Sequence, residues 1–336
     1  MIIGGHDCDR QVFIVAEIGN NHEGDPDVAE RMIREAAASG VDAVKFQTFQ
    51  ARLFSSAADA ARFGRLQKFQ LSYETFAALE RLARSLGVGF FSTPLDLESA
   101  RFLAPIVDCF KIASGDNDFY PLISFACQTG KPLVISTGMT DLEGARGIAG
   151  FVREEWARGG IQGDLAMLHC VSAYPVPDEE AHLSVLPVLH AALGCTVGYS
   201  DHTLGTEACL AAVALGARII EKHFTLDKNF SDFRDHQLSA DPAEMRLLVS
   251  QVRRVEKLLG RPSKDVQPSE VPIAAVARRA IVASSDLARG HRVRFEDLLW
   301  IRPPVGLPPG QESRLIGRAL LRDVAFGTPI TGGDVE

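Results

Sequence analysis

The chain has 336 residues, 46% apolar and 23% charged, which is an ordinary globular composition. Its formal charge of −8 argues against nucleic-acid binding as the main business, while leaving room for a local basic pocket that takes a small anion. No apolar run approaches the roughly 18 residues of a membrane span. Met1–Arg10 lacks the basic and apolar regions of a signal peptide, and Cys8, Cys109, Cys127, Cys170, Cys195 and Cys209 form no CxxC pair, so a soluble, cytoplasmic protein with reduced thiols is expected.

In chain order, the predicted strands are Phe13–Gly19, Ala43–Thr48, Gly89–Pro94, Cys109–Ser114, Pro132–Gly138, Leu165–Cys170, Thr196–His202 and Arg218–Thr225. Several are near-continuous apolar runs, the mark of strands buried on both faces. Helical periodicity falls between them at Asp27–Ser39, Tyr73–Leu86, Asp141–Arg158, Thr206–Leu215 and Pro242–Leu259. Pro26 precedes the first helix. Ser72 caps the second, Thr75 and Glu80 are placed on its outer face, and Gly87 stops it. Eight strand–helix units in roughly 250 residues predict a (β/α)8 TIM barrel in preference to an open doubly wound sheet.

Gly260–Pro272 holds Gly260, Pro262, Pro268 and Pro272 among charged residues and reads as a linker. The expected organisation is a barrel domain over 1–260, a linker over 261–275 and a small β-rich domain over 276–336. Arg279–Ala283, Val293–Phe295 and Leu298–Ile301 are its predicted strands, followed by the Pro- and Gly-rich Pro303–Gly310. About 60 residues fold alone only marginally, so this domain is expected to pack on something. Met1–Arg10 has no pattern that assigns it a place.

Barrel enzymes draw their reactive groups from the C-terminal strand ends. Those ends carry Glu17, Asn20, Asn21 and His22; Lys45 and Gln47; Ser92, Thr93 and Pro94; Lys111, Ser114 and Gly115; Ser136, Thr137 and Gly138; His169, Cys170, Ser172 and Tyr174; Ser200, Asp201 and His202; and Glu221, Lys222 and His223. A charge inside an apolar strand is costly unless paired or used. For any one of these residues a structural ion pair explains it equally well. Polar groups on one rim of all eight strands point instead to an active site. Strand alternation turns Glu17, Lys45, Lys111 and His223 inward.

Two inward lysines with Thr93, Ser114, Ser136, Ser172 and Ser200 suit a phosphate plus a carboxylate. Gly115 and Gly138 allow backbone N–H groups to approach an anion. His202 and His223 sit at matching depth on adjacent strands. Singly each is an ordinary buried or surface histidine, but the pair can reach one divalent ion with positions left open. Ligand softness alone admits zinc, iron, cobalt, manganese or magnesium.

The ordered motifs Ala16-Glu17-Ile18-Gly19-Asn20-Asn21-His22-Glu23-Gly24, Val44-Lys45-Phe46-Gln47-Thr48, Ser92-Thr93-Pro94, Lys111-Ile112-Ala113-Ser114-Gly115-Asp116, Ser136-Thr137-Gly138-Met139, His169-Cys170-Val171-Ser172-Ala173-Tyr174-Pro175, Gly198-Tyr199-Ser200-Asp201-His202-Thr203 and Glu221-Lys222-His223-Phe224-Thr225 resemble the N-acetylneuraminate (sialic acid) synthase family. That family includes legionaminate and pseudaminate synthases. The likeness runs from about Phe13 to the end and includes a C-terminal antifreeze-like (SAF, β-clip) domain.

The resemblance implies condensation of phosphoenolpyruvate with the aldehyde of an open-chain N-acetylhexosamine, giving a nine-carbon 2-keto acid plus phosphate. It implies that Lys45, Thr93, Lys111, Ser114, Ser136, Ser172 and Ser200 hold phosphoenolpyruvate. Gln47, Tyr174 and Asp235 would contact the sugar, and Glu17 would manage a proton or position water. His202 and His223 would bind the metal, commonly manganese in the family, with magnesium or cobalt as alternatives. Arg302, in Trp300-Ile301-Arg302-Pro303, matches the arginine that the family's C-terminal domain sends into the partner subunit of a swapped homodimer. By composition alone it is a solvated strand-end arginine.

One segment departs from the family. Its usual Pro-Gly-x-Asp-His is here Phe230-Ser231-Asp232-Phe233-Arg234-Asp235-His236, without the proline or glycine. The departure bears on which sugar is used more than on the reaction: N-acetylmannosamine, its 6-phosphate or a diacetamido-dideoxyhexose. Two other readings remain beside the synthase. One is a Schiff-base aldolase with Lys111 or Lys222 as nucleophile; the other is a non-catalytic sugar- or ice-binding protein.

Overall fold

A computed structural model describes residues 1–336 and divides the chain into two compact units, Met1–Gly260 and Arg261–Glu336. The first opens with a hairpin of β1 (Ile2–Ile3) and β2 (His6–Asp7). This hairpin seals the N-terminal end of the barrel: the Ile2 amide donates to Asp164 (3.3 Å) and Arg218 donates to the Asp9 carbonyl (2.6 Å).

Eight parallel strands follow: β3 (Phe13–Gly19), β4 (Ala43–Thr48), β5 (Gly89–Pro94), β6 (Phe110–Ile112), β7 (Leu133–Ser136), β8 (Leu165–Cys170), β9 (Thr196–Asp201) and β10 (Ile219–His223). Their order, β5-β4-β3-β10-β9-β8-β7-β6, wraps round until β5 and β6 lie side by side. The chain therefore folds as the predicted TIM-type barrel. The helices that follow the strands are α1 (Pro26–Ala38), α2 (Ala51–Phe54), α3 (Ala60–Phe69), α4 (Tyr73–Ser85), α5 (Leu97–Leu103), α6 (Tyr120–Gln128), α7 (Leu142–Gly159), α8 (Val185–Leu193), α9 (Glu207–Ala214) and, after the eighth strand, α10 (Asp235–Leu238) and α11 (Pro242–Leu259).

Local chemistry explains these boundaries. Asp25, Ser72, Asp141 and Asp241 cap α1, α4, α7 and α11 by accepting from first-turn amides. Gly198 is required inside β9, because a Cβ there would meet the Leu168 side chain and the Ile219 carbonyl oxygen, each at 2.5 Å. Toward the floor of the barrel the Phe13 and Phe91 rings stack 6.4 Å apart, so apolar packing closes the end opposite the polar rim.

Several expectations need correction. The strands expected to reach Ser114, Gly138, His202 and Thr225 end earlier, where the chain turns outward at the rim. Glu80 is buried, not on an outer face, and pairs with Arg84. Helices α2, α3, α5, α6, α8 and α10 were not foreseen.

In the second unit, Val271–Ala277 forms a helix (α12) where a linker was expected to run to residue 275. β11 (Ala280–Ala283) pairs antiparallel with β12 (Leu298–Ile301). Val293–Phe295 is not a strand: Phe295 begins a 3-10 turn, and the neighbouring backbone is held by the single bridge Arg292–Ala319. Further bridges join Leu287 to Val324 and Leu320 to Val335. They close a small core of Ile281, Leu287, Val293, Leu298, Leu315, Leu320, Val324 and Ile330.

Candidate active site

Parallel register sets which groups meet. Glu17 lies opposite Lys45 on β4 and His223 on β10, Gln47 opposite Thr93, and Glu221 opposite Ser200. Their side chains converge on a cavity of about 380 Å³ at the C-terminal end of the barrel. It is lined by Glu17, Lys45, Gln47, Thr93, Lys111, Ser114, Ser136, Ser172, Tyr174, Ser200, His202 and His223. Asp235, at the start of α10, lines an adjoining outer pocket of about 1000 Å³ that shares Gln47, Tyr174 and His223 with the inner cavity. Arg302 belongs to the second unit, directly after β12, with its side chain exposed.

The floor of the cavity is an ion-pair network. Lys45 Nζ stands 2.8 Å from Glu17 Oε2 and 3.6 Å from Glu221 Oε1, and it donates to Thr93 Oγ1 (3.2 Å). Lys111 Nζ lies 3.9 Å from the same Glu221 oxygen and donates to Ser136 Oγ (2.7 Å). Ser200 Oγ donates to Glu221 Oε1 (3.0 Å). Glu221 is thus the hub joining both lysines. It stood in the rim residues of the sequence but not among the expected site residues, although the alternation that turns His223 inward turns Glu221 inward as well.

Burial and these partners pull in opposite directions. Burial opposes the charge on Lys45, but the Glu17 and Glu221 carboxylates outweigh it and hold the ammonium above its usual pKa. Lys111 is pushed below its usual value, chiefly by burial, despite Glu221. Burial lifts the Glu17 carboxyl, with Glu221 adding to the effect and Lys45 opposing it. For Glu221 burial acts upward, but Lys111 and Lys45 together keep it below the usual carboxylate value.

On one side a cradle forms. The Gly138 amide donates to Ser114 Oγ (3.0 Å), and Asn117 Nδ2 holds the loop through the Gly138 carbonyl (3.0 Å). A Cβ on Gly138 would sit 2.3 Å from Ser172 Oγ and 2.6 Å from Ser114 Oγ. Only glycine lets these hydroxyls and the backbone come so close, an arrangement suited to an oxyanion.

On the other side the His202 and His223 rings face one another with centroids 5.4 Å apart. His202 Nδ1 pairs with the Val171 carbonyl (2.8 Å), which makes that nitrogen the donor and leaves Nε2 with a free lone pair. His223 is buried, its Nδ1 has no hydrogen-bond partner, and burial drives its pKa well below the usual value, so the ring is neutral. Burial opposes the charge on His202, but Cys170 and the Val171 carbonyl outweigh it and hold that ring above its usual pKa, so a divalent ion bound between the two imidazoles would take the place of a proton there. No third His, Cys, Asp or Glu completes a protein-only set, so the remaining positions would fall to water or substrate. Tyr174 packs on this pair, 4.2 Å from the His202 ring centroid.

Lys222 does not face the cavity. It is buried on the outer side of β10, where Nζ lies 2.6 Å from Asp201 Oδ2 and donates to the Thr203 carbonyl (2.6 Å). That leaves Lys111 as the one lysine of the aldolase reading that reaches the site.

Residues 32–264 match the NeuB family and residues 278–336 the SAF domain. The chain is 37% identical to the N,N'-diacetyllegionaminic acid synthase of Legionella pneumophila over 338 residues, covering 96% of this chain and 94% of that protein. It is 33% identical to the N-acetylneuraminate-9-phosphate synthase of Homo sapiens over 334 residues, covering 95% and 90%. The crystal structure of the N-acetylneuraminic acid (sialic acid) synthetase from Leptospira borgpetersenii in complex with citrate superposes with a TM-score of 0.73 at 33% identity, covering 81% of this chain and 92% of that one.

Proposed function

The chain belongs to the NeuB family of sugar-acid synthases, and from that premise we propose that it condenses phosphoenolpyruvate with the aldehyde of an open-chain N-acylated hexosamine. The products are a nine-carbon 2-keto acid and phosphate. The observation that carries this reading is the meeting of Lys45, Lys111, the Ser114–Gly138–Ser172 cradle and two free imidazole nitrogens in one cavity.

Lys111, Ser136 and the cradle hold the phosphate, and Lys45 with Thr93 holds the carboxylate; the donors are preorganised, so little reorganisation is needed as charge develops. C3 of phosphoenolpyruvate attacks the aldehyde carbon, leaving a cationic C2. Water adds at C2, and the tetrahedral intermediate releases phosphate by C–O cleavage. Glu17 faces that cation and takes or positions the proton of the water. His202 and His223 would hold a divalent ion, manganese by kinship, which when bound would supply Lewis-acid polarisation of the aldehyde oxygen. Gln47, Tyr174 and Asp235 orient the acceptor. Arg302 would complete the acceptor site from the SAF domain of a partner subunit in a homodimer. Between N-acetylmannosamine and a diacetamido-dideoxyhexose, the likeness to the Legionella pneumophila enzyme supports the latter as the second acceptor to try.

Purified protein with phosphoenolpyruvate, manganese and a panel of acylated hexoses is expected to release phosphate in an aldehyde-dependent way, and a chelator is expected to stop it. No release with any acceptor, or release indifferent to chelator, would overturn the reading. Pyruvate with borohydride is expected to leave no adduct; an adduct would favour the aldolase. Arg302→Ala is expected to raise the KM for the sugar, and unchanged kinetics would remove Arg302 from the site.

A second variant tests the cradle. Gly138→Ala places a methyl where the Ser114 and Ser172 hydroxyls now sit, displacing both. Hydrogen bonds to a charged group contribute about 1.5–3 kcal/mol each, so the KM for phosphoenolpyruvate is expected to rise about tenfold or more. An unchanged KM would show that the phosphate lies elsewhere.

A further inference from the structure

Five residues line both the inner cavity and the outer pocket and so form the neck between them: Gln47, Arg62, Tyr174, His223 and Arg234. The neck carries two guanidiniums and no carboxylate. Arg62 comes from α3; Arg234 precedes α10, in the loop that departs from the family's pattern. Arg62 lies over the Phe54 ring (5.7 Å to its centroid) and makes no ion pair. Arg234 lies 4.7 Å above the Tyr174 ring centroid, and its one carboxylate neighbour is Asp235, at 3.4 Å.

The inner cavity adds no countercharge to them: Arg234 has Asp235 alone and Arg62 has no carboxylate partner. The cavity's two lysines are already matched by Glu17 and Glu221. Among the other cations of the outer pocket, Lys68 is paired with Glu23 (3.6 Å), while Arg65 stands unpaired, as does the acidic Asp232. Two guanidiniums facing one passage repel each other and gain when an anion enters between them. Their planar forks match the oxygens of a phosphate ester or a carboxylate. In a chain of charge −8, such local cations also counter a field that would otherwise repel an acidic substrate.

We propose that Arg62 and Arg234 clamp an anionic substituent on the acceptor, so that the sugar this chain uses is an acidic acylated hexosamine, either a phosphate ester or a carboxylate. The inference rests on the condensation above, since it assigns the neck to the acceptor and not to phosphoenolpyruvate. It makes Arg62 and Arg234 the residues that set acceptor choice.

The test compares N-acetylmannosamine, its 6-phosphate and the corresponding uronic acid in the phosphate-release assay, with the full-length protein. One acidic acceptor is expected to exceed the neutral sugar in kcat/KM by about tenfold or more, and which one it is identifies the anion. Arg62→Ala and Arg234→Ala, both at exposed positions, are each expected to raise the KM of that acceptor about tenfold while leaving the KM of phosphoenolpyruvate unchanged. Arg234→Lys should restore part of the loss for a phosphate ester. Preference for the neutral sugar would overturn the clamp and leave the condensation standing. A rise confined to the KM of phosphoenolpyruvate would also overturn it, by moving both arginines to the other substrate. Release with none of the three but with a neutral diacetamido-dideoxyhexose would overturn the clamp alone, and release with no acylated hexose at all would overturn both readings.

Discussion

Glu17→Gln is expected to lower kcat by about 10²–10⁴-fold, the usual contribution of a positioned acid or base, with the fold intact. The side chain is buried, with one oxygen 2.8 Å from Lys45 and the other accepting from Gln47 Nε2 (3.4 Å). Glutamine keeps the size and one acceptor oxygen. Lys45 keeps Glu221 at 3.6 Å and Thr93 at 3.2 Å, so the substitution strands no buried ammonium. What it removes is the negative charge facing a cationic C2 and the group able to carry a proton there. That charge matters most in the transition state, so kcat should fall while the KM for phosphoenolpyruvate changes little. Steady-state phosphate release, paired with a thermal melt, checks it. Wild-type turnover from a normally folded variant would take Glu17 out of the chemistry.

The barrel was legible because strands buried on both faces must be apolar runs, and nothing else in a chain of this size supplies eight of them in sequence. Strand ends were overextended where polar rim residues such as Ser114 and Thr137 continue the alternation after the backbone has turned away. Alternation also brought Lys45, Lys111, Glu17 and His223 to one cavity. The same rule points to Glu221, yet in the run Glu221-Lys222-His223 the inward hub and the outward ion-pair partner look alike until the register is known. Helix α3 was hidden because Gly64 interrupts it and only Leu66 and Phe69 are buried, and with it Arg62 was hidden. Glu80 was misplaced because helical spacing gives the direction of a side chain but not what packs over it; Arg84 and Asp108 bring countercharge and its salt bridge to that spot.

Lys222→Met is expected to destabilise the barrel by about 3–5 kcal/mol, the loss typical when one partner of a buried ion pair is removed. Lys222 and Asp201 are almost wholly shielded from solvent, and Lys222 Nζ makes two contacts of 2.6 Å. Asp201 Oδ1 also accepts from the Thr203 amide and hydroxyl (both 2.8 Å), and Cys209 Sγ donates to Oδ2 (3.2 Å). Methionine fills the space of the lysine stem but leaves the Asp201 charge buried with neutral donors alone. For a unit of this size the loss corresponds to a Tm lowered by roughly 6–20 °C. Adding Asp201→Asn removes the stranded charge and keeps an acceptor for Thr203, so the double variant should regain part of the loss. The pair spans β9 and β10 at the positions directly beside His202 and His223, so the single variant should also weaken manganese binding, measured by calorimetry below its melting range. A single variant that melts with the wild type would mean that the pair only breaks even against a hydrophobic replacement. The separation of the two imidazoles would then have to be held by the barrel's hydrogen-bonded register alone.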